Sequence, residues 1–219
     1  MLTVVRKPWG YEYPIFESEQ VGLWFLCIKP GQSTSLHCHP RKKTGLVVLE
    51  GAIEVSFLND STRLGPTDRV MIRPGLFHRS TACSDTDSYL LEIENPRDKE
   101  DLVRFEDNYG RESMPYEDDS HHVALSEKWR VLPPIEDWQT NIAKVGQVSL
   151  LWHHSCELKD LVGYQERTTV LVVAGSLGED SREVLGAGDV VSLGTLRKLV
   201  DRFSIATPLS LLTLQLGSQ

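Results

Sequence analysis

The sequence lacks a long apolar run, an excess of basic residues and a pattern of paired cysteines. No uninterrupted apolar segment approaches the roughly 18–20 residues that cross a bilayer, so no membrane span is expected. Lysine and arginine total 23 against 31 acidic residues, and this net charge of −8 argues against binding to nucleic acid or to an anionic membrane. The opening MLTVVRKPWG reaches Arg6, Lys7 and Pro8 before the core of a signal peptide can form. We therefore expect a cytoplasmic protein whose partner is a small molecule.

The four cysteines, Cys27, Cys38, Cys83 and Cys156, show no pairing pattern. In a reducing compartment they are ordinary thiols, and we expect three of them to pack inside strands. The 219 residues are enough for one large all-β domain or for two smaller ones, each with its own core.

Short alternating segments separated by turn residues dominate the first half of the chain. The predicted strands there are 21–31, the segment STSLHCH, 45–50, 52–59, 69–73 and 88–94. Glycine, proline, asparagine and aspartate separate them at short, regular intervals, which is typical of an antiparallel barrel or sandwich. No strong helix is predicted before residue 95.

An acidic segment follows the first set of strands. Residues 98–119 contain nine acidic and three basic residues. A run of charge usually indicates a solvated linker, and we predict a connector at 98–123. Its first part, DLVRFEDNYGR, also carries apolar residues, so docking of this part on the barrel remains open.

The second half of the chain predicts a second β-rich unit at 124–219. Its expected strands are 148–154, 168–175, 188–194, 203–207 and 209–216. The order of strands and turns repeats that of the first half, which indicates an internal duplication with drift. Neighbouring residues in a strand point to opposite faces, so His153 and His154 are unsuited to joint metal binding and are interpreted as structural. His121 and His122 are interpreted as surface residues.

Three histidines in the first half form the strongest candidate site. In GQSTSLHCHPRKKTGLVVLEG, His37 and His39 lie on one face of a strand and Cys38 on the other. His78 follows a Pro-Gly turn about forty residues later, and on a neighbouring strand it would complete a facial cluster. Three imidazole ligands with open positions are the usual arrangement of a catalytic metal site. We predict one divalent metal ion, with zinc, iron, manganese and nickel as candidates.

The spacing of Gly31, His37, His39 and Gly51, with Pro74-Gly75 before His78, resembles the cupin superfamily. This resemblance implies an all-β fold of double-stranded β-helix (jelly-roll) barrels. We predict two of them, a metal-binding barrel at 1–97 and a degenerate second barrel at 124–219. The family's first motif has a glutamate at the position that Thr44 occupies here.

A narrower resemblance is to the cupin domain of type II phosphomannose isomerases and related sugar-nucleotide proteins. It is carried by KPWGYE at 7–12, by LHCHPRKKTGLVVLEGA and by LVRFEDNYGRE at 102–112. That family has glutamine in place of His37 and keeps the glutamate in place of Thr44. The exchange removes one negative charge from the ligands and makes the bound metal a stronger Lewis acid.

Basic residues near the histidines predict a phosphate or carboxylate on the substrate. Arg41 and Lys42, which approximate an Arg-x-Glu segment of that family, are the predicted catalytic residues. The predicted substrate-binding residues are Lys43, Thr44, Arg73, Arg104 and Arg111. Isomerisation also needs a base, for which Glu50, Glu54 and Glu92 are available.

The leading hypothesis is a metal-dependent enzyme similar to mannose-6-phosphate isomerase, acting on a sugar phosphate or a nucleotide sugar. Three histidines without a carboxylate also describe oxygen-using cupins, so a non-haem iron dioxygenase is the second hypothesis. A non-catalytic sugar- or metal-binding module is the third, because the glutamate is missing. We expect a homodimer.

Overall fold

The computed structural model describes residues 3–116, 119–124, 126, 129–138 and 142–217. These residues form eighteen β-strands, one α-helix and three short 3₁₀ helices, so the predicted all-β class is confirmed. The 3₁₀ helices are Asp119–His121, Ile135–Asp137 and Leu158–Leu161. None of the described helices is both long and apolar enough to cross a membrane.

Two antiparallel sheets make up the first unit. The seven-stranded sheet has the order β12 (His122–Ala124), β1 (Thr3–Lys7), β2 (Gly10–Glu17), β3 (Gly22–Ile28), β10 (Ser88–Asn95), β5 (Lys43–Glu50) and β8 (Arg69–Ile72). The five-stranded sheet has the order β11 (Val103–Glu106), β4 (Leu36–Cys38), β9 (His78–Ala82), β6 (Ile53–Phe57) and β7 (Ser61–Leu64). The predicted connector at 98–123 thus contributes β11 to one sheet and part of β12 to the other.

Alternation along β10 shows how the sequence divides the interior of this unit. Leu91 and Ile93 join the apolar core on one face of the seven-stranded sheet. Leu90 joins the separate apolar cluster between the two sheets, and Glu92 and Glu94 line a cavity on that side. Side chains two residues apart share a face of a strand, so the pattern assigns the two carboxylates to the interior of the barrel.

The described part of the second unit forms a single sheet of six strands. Its order is β13 (Ile142–Val145), β14 (Val148–Cys156), β18 (Ser204–Leu216), β15 (Thr169–Glu179) and β16 (Arg182–Gly186), and β17 (Val190–Ser192) also pairs with β15. Among these residues no second sheet closes the sheet into a barrel.

Two predicted boundaries in this unit are wrong. The segments 203–207 and 209–216 are one strand, and β15 continues past Gly175, where a strand end was expected. Pro208 cannot donate a backbone hydrogen bond to β15. Strand β18 nevertheless continues through Pro208, because the β15–β18 pairing shifts register around Gly175 at this point. Gly175 has φ +83°, and a Cβ there would lie 2.1 Å from the Pro208 carbonyl oxygen, so only glycine fits.

The α-helix was not predicted from the sequence. The predicted strand at 188–194 ends at Ser192, and α1 (Leu193–Val200) begins directly after it. The Ser192 hydroxyl accepts a hydrogen bond from the Thr195 amide at 3.0 Å, which caps the helix. Leu193 and Leu196 are buried in the apolar cluster of the second unit and hold α1 against its sheet.

The outer face of the seven-stranded sheet packs against the six-stranded sheet. One continuous apolar core contains Phe25 and Val47 from the first unit and Leu171 and Leu212 from the second. Polar contacts border it: Lys43 Nζ lies 2.7 Å from Asp189 Oδ1, and the Arg69 guanidinium donates a hydrogen bond to the Thr169 hydroxyl at 3.0 Å. Cys27, Cys38 and Cys156 are buried on strands, which confirms the prediction for three of the four cysteines.

Candidate metal centre

The three predicted histidines meet inside the first unit. His37 on β4 and His78 on β9 are direct partners in the strand pairing, and His39 follows the end of β4. Their ring centroids are 4.4 Å apart for His37 and His78, 4.9 Å for His37 and His39, and 5.4 Å for His39 and His78. The ligating nitrogens of the three rings lie within 4.8 Å of one another.

Backbone carbonyl groups orient each imidazole. The Nδ1 atoms of His37, His39 and His78 lie 2.8 Å from the Ser35 carbonyl oxygen, 2.7 Å from that of Asp101 and 3.1 Å from that of Leu76. A carbonyl oxygen accepts, so each Nδ1 must donate, and each Nε2 then carries a lone pair. Hydrogen bonds of this kind to Nδ1 are the usual support for histidines that bind a metal through Nε2.

The environment keeps all three rings neutral. Burial, reinforced by the neighbouring His78 and His39, holds the pKa of His37 well below its ordinary value. Burial and Lys42 lower the pKa of His39 to about 2, and burial lowers that of His78 to about 4. Neutral imidazole is the form that binds a metal.

His37, His39 and His78 are suited to bind a metal ion. His39 is 6% exposed, and its Nε2 is buried without a hydrogen-bond partner among the described residues. A buried acceptor without a donor is unfavourable, and a cation at this position would satisfy it. His37, His39 and His78 would hold the metal, and nitrogen ligands suit zinc, iron and nickel.

A cavity of about 70 Å³, partly open to solvent, extends from the histidines. Its wall combines the three imidazoles with buried charged and aromatic side chains. The charged lining residues are Lys7, Glu12, Lys42, Glu92, Glu94, Lys99, Arg104 and Arg111. The cavity therefore offers both positive groups for an anionic substrate and carboxylates for proton transfer.

Two of the three cavity carboxylates are held by lysines. Glu94 Oε1 lies 2.5 Å from Lys42 Nζ, and Glu94 Oε2 lies 3.2 Å from Lys99 Nζ. Glu12 pairs with Lys7 at 3.4 Å and with Lys99 at 3.7 Å, and it accepts a hydrogen bond from the Tyr116 hydroxyl. Burial alone would raise the pKa of Glu12, but the Lys7 and Lys99 charges outweigh it and lower this pKa to about 2.

Glu92 differs from the other two carboxylates. It is 8% exposed and makes no hydrogen bond or ion pair with any residue that the structure describes. Burial and then the adjacent Glu94 charge raise the pKa of Glu92 to about 7. Its carboxylate lies within 4.8 Å of the ligating atoms of His39 and Glu94.

Three of the predicted basic residues do not line the cavity. Arg41 is on the surface, where it pairs with Asp98 at 2.7 Å and with Asp101 at 3.0 Å. Lys43 points to the second unit and Arg73 is exposed. The carboxylates that pair with Arg41 and Lys43 come from distant parts of the chain. The sequence around the histidines therefore did not reveal these ion pairs.

The other predicted residues lie at or beside the cavity. Lys42 lines it, but its ammonium group is bound by Glu94 and by the Asp98 carbonyl oxygen at 3.0 Å. Thr44 is fully buried and its hydroxyl has no hydrogen-bond partner among the described residues. Arg104 and Arg111 line the cavity, and Arg111 also pairs with Asp107 at 2.7 Å.

Several cavity residues were not predicted from the sequence. Glu12 and Glu94 were not proposed, and neither were Lys7 and Lys99, which pair with them. The alternation in SYLLEIEN placed Glu92 and Glu94 on one face, a signal that could have identified Glu94. Of the two other available carboxylates, Glu50 pairs with Arg130 at 2.7 Å, and Glu54 is also not among the lining residues.

The histidine pairs of the second half lie elsewhere. His153 is partly buried and its Nε2 lies 3.0 Å from the Thr213 hydroxyl, and His154 is exposed. His121 and His122 are also exposed. None of these four belongs to a group of described residues arranged to hold a metal.

Comparison with known proteins identifies related sequences over the first unit. Residues 24–94 match the sequence model of the family described as Cupin domain. Mannose-1-phosphate guanylyltransferase ManC of Salmonella typhimurium is 28% identical over 109 residues, which cover 49% of this chain and 23% of that protein. Alginate biosynthesis protein AlgA of Pseudomonas putida is 27% identical over 115 residues, which cover 52% of this chain and 24% of that protein. The chain thus spans about a quarter of the length of these curated relatives.

Two solved structures, those of CapF and KdgF, have a similar chain trace. The capsular polysaccharide assembling protein CapF from Staphylococcus aureus superposes with a TM-score of 0.45 and 19% identity, covering 49% of this chain and 35% of that chain. KdgF from Halomonas sp. superposes with a TM-score of 0.40 and 22% identity, covering 42% of this chain and 84% of that chain.

Proposed function

Because residues 24–94 of this chain are a cupin domain, we propose that the protein is a metal-dependent enzyme acting on a sugar phosphate or a nucleotide sugar. The proposed reaction is an aldose–ketose isomerisation of the mannose-6-phosphate isomerase type. The observation that carries this proposal is the convergence of three neutral imidazoles in a cavity lined by both cations and carboxylates. The names of the similar curated proteins, which refer to a mannose phosphate and to polysaccharide synthesis, support the substrate class.

In this proposal His37, His39 and His78 hold the metal, which when bound supplies a Lewis acid for the substrate oxygens. Arg104 and Arg111 bind the substrate phosphate, because guanidinium groups match phosphate geometry and both line the cavity. Isomerisation moves a proton between neighbouring carbons, and the cavity carboxylates are the groups that can accept this proton and return it. Lys42 contributes by fixing Glu94 rather than by contacting substrate.

The carboxylates favour an enzyme over a module that only binds sugar or metal. A binding module needs no proton acceptor beside its metal, whereas the cavity contains Glu92 next to His39. The match covers only part of the curated relatives, so guanylyltransferase activity is not part of this proposal.

A second candidate is a three-histidine non-haem iron dioxygenase. It is favoured by the all-histidine triad of His37, His39 and His78, since imidazole ligands also suit iron. Oxygen uptake by the iron-loaded protein would support it. Zinc binding without any oxygen chemistry would count against it.

The experiment for the leading proposal follows the interconversion of mannose 6-phosphate and fructose 6-phosphate. The protein is purified, stripped with a chelator and reloaded separately with zinc, manganese, nickel and ferrous iron. We expect interconversion with at least one metal, and loss of it in His39→Ala and in the chelated protein. No interconversion with any metal would exclude this substrate pair.

A further inference from the structure

A larger cleft adjoins the cavity that contains the histidines. This outer cleft has a volume of about 830 Å³, whereas the histidine cavity, here called the inner cavity, measures about 70 Å³. Lys99 and Tyr116 line both spaces. Further residues that line the outer cleft are Val5, Pro14, Phe16, Trp24, Glu136 and Asp137.

The two spaces lie on one face of the seven-stranded sheet. On each of three adjacent strands, one residue lines the inner cavity and a residue two positions away lines the outer cleft. These pairs are Lys7 and Val5 on β1, Glu12 and Pro14 on β2, and Leu26 and Trp24 on β3. Residues two positions apart share a face of a strand, so the sheet forms a common floor for both spaces.

Lys99 and Tyr116 form the boundary between the two spaces. Lys99 Nζ lies 3.7 Å from the centroid of the Trp24 ring and 5.5 Å from that of Tyr116. The Tyr116 hydroxyl donates a hydrogen bond to Glu12, which Lys99 also contacts at 3.7 Å. A boundary made of side chains can be rearranged by rotamer changes, so one ligand can extend across it.

The size of the inner cavity limits what it can hold. Pockets for small-molecule ligands usually measure roughly 300–1,000 Å³. The outer cleft is within this range and the inner cavity is below it. A substrate bound at the histidines therefore gains most of its room from the outer cleft.

The outer cleft combines aromatic rings with carboxylates. Trp24 and Phe16 supply the rings, and Glu136 and Asp137 on the 3₁₀ helix Ile135–Asp137 supply exposed carboxylates. Ligand pockets typically pair apolar and aromatic surface with a few polar groups that fix orientation. The rings can pack against the C–H face of a sugar, and carboxylates accept hydrogen bonds from its hydroxyl groups.

Positive charge is scarce in the outer cleft. Lys99 is the only lysine or arginine among the described residues that line it, and its ammonium group lies 3.7 Å from Glu12 and 3.2 Å from Glu94. A diphosphate in the cleft would lack a cationic partner, and Glu136 and Asp137 would repel it. The cleft therefore favours an uncharged, hydroxyl-rich ligand over a nucleoside diphosphate.

We propose that the outer cleft is a subsite for an uncharged sugar unit of the substrate, next to the inner cavity that binds its phosphate and reacting carbons. The inference rests on the proposed function, because one substrate extends across both spaces. It also selects among the proposed substrates. A phosphorylated sugar that carries a further sugar unit fits both spaces, whereas a nucleotide sugar does not.

The test measures binding of the neutral disaccharide mannobiose to the metal-free full-length protein by ligand-observed NMR titration. The variant is Asp137→Asn, which removes one carboxylate charge from the outer cleft. The matched control is Asp85→Asn, which makes the same change at an exposed residue that does not line the cleft. Guanosine diphosphate is the competing probe, and thermal unfolding checks that each variant is folded.

We expect the wild type to bind mannobiose and Asp137→Asn to bind it about fivefold more weakly, because a hydrogen bond to a charged acceptor is weakened. Asp85→Asn should bind like the wild type. No binding by the wild type, or equal binding by Asp137→Asn, would overturn the subsite. Tighter binding of guanosine diphosphate than of mannobiose would overturn the class of ligand.

Two further variants locate the disaccharide. Phe16→Leu removes an aromatic ring from the outer cleft and should also weaken mannobiose binding, which covers the case in which Asp137→Asn does not fold. His39→Ala changes only the inner cavity and should leave mannobiose binding unchanged. Weaker binding in His39→Ala would place the disaccharide in the inner cavity and overturn the inference.

The subsite and the proposed isomerase activity can fail separately. Binding of mannobiose by metal-free protein does not depend on the metal-dependent reaction. Mannobiose binding without interconversion of the hexose phosphates would keep the subsite and remove that substrate pair. Interconversion without mannobiose binding would keep the proposed function and overturn the subsite.

Discussion

Lys42 Nζ lies 2.5 Å from Glu94 Oε1, and each of these side chains is 1% exposed. The pair joins the residue just before β5 to the end of β10 inside the barrel. Lys99 reaches the other oxygen of Glu94 at 3.2 Å, so the carboxylate is shared by two ammonium groups. The charges around the metal centre are thus arranged by protein contacts within the cavity.

Breaking this pair should destabilise the protein. Lys42→Met leaves the Glu94 carboxylate buried with one cation fewer, and we expect the free energy of unfolding to fall by about 3–5 kcal/mol. Urea unfolding monitored by tryptophan fluorescence measures the change. Arg73→Met is the control, because this residue is exposed and forms no ion pair with a residue that the structure describes. Equal stability of Lys42→Met and wild type would contradict the structural role of the pair.

The histidine triad predicts a defined metal content. We expect about one metal ion per chain in wild-type protein purified without chelator, and a strong reduction in His39→Ala, because three ligands are needed for a stable site. Elemental analysis measures both. His154→Ala is the matched control, since His154 is exposed on the second unit. This variant should retain the metal. Equal metal content in His39→Ala and His154→Ala would remove the assignment of the site.

Glu12 makes stability depend on pH at the acid end. Burial would raise its pKa, but Lys7 and Lys99 lower it to about 2 from an ordinary 4.5. A carboxyl group whose pKa falls on folding contributes fully above its unfolded pKa, and the contribution is lost as pH falls through the folded pKa. We expect the free energy of unfolding to decrease between pH 4.5 and pH 2, and less steeply in Glu12→Gln. Urea titrations across this range measure it, and identical slopes would refute the assignment.

Gly45 lies where the two units pack against each other. A Cβ at this position would be 2.4 Å from Val190 Cγ2 and 2.9 Å from Ile93 Cγ2. We expect Gly45→Ala to destabilise the protein by about 1–3 kcal/mol through overpacking. Val190→Ala in the same chain should recover part of this loss, because it removes the nearest atom. A double-mutant cycle by urea unfolding measures the coupling, and strictly additive effects would show that the contact is not shared.

The histidine cluster could be predicted because its signals are local. Alternation in the His-x-His segment places His37 and His39 on one face, and the Pro74-Gly75 turn precedes His78. The glycine and proline turns that mark the strand ends are local signals as well. The strands β3, β4, β5, β6, β8 and β10 were predicted for the same reason, whereas β7, β11 and β12 were not.

The carboxylates and their partners depend on pairing between distant strands. Lys42 meets Glu94, 52 residues away, and Lys43 meets Asp189, 146 residues away. Alternation places Glu92 and Glu94 on one face but does not say what that face contacts. The helix α1 was missed because the residues that bury Leu193 and Leu196 lie on distant strands of the second unit.

The strand β10 carries apolar side chains on the face toward the second unit and carboxylates on the face toward the cavity. A slip of this strand by one residue would exchange the two faces, moving Glu92 and Glu94 into the apolar interface. The second unit contributes no described residue to the cavity, yet its packing against Leu91 and Ile93 opposes such a slip. The half of the chain in which no described residues are grouped to hold a metal therefore helps to set the alignment on which the other half's site depends.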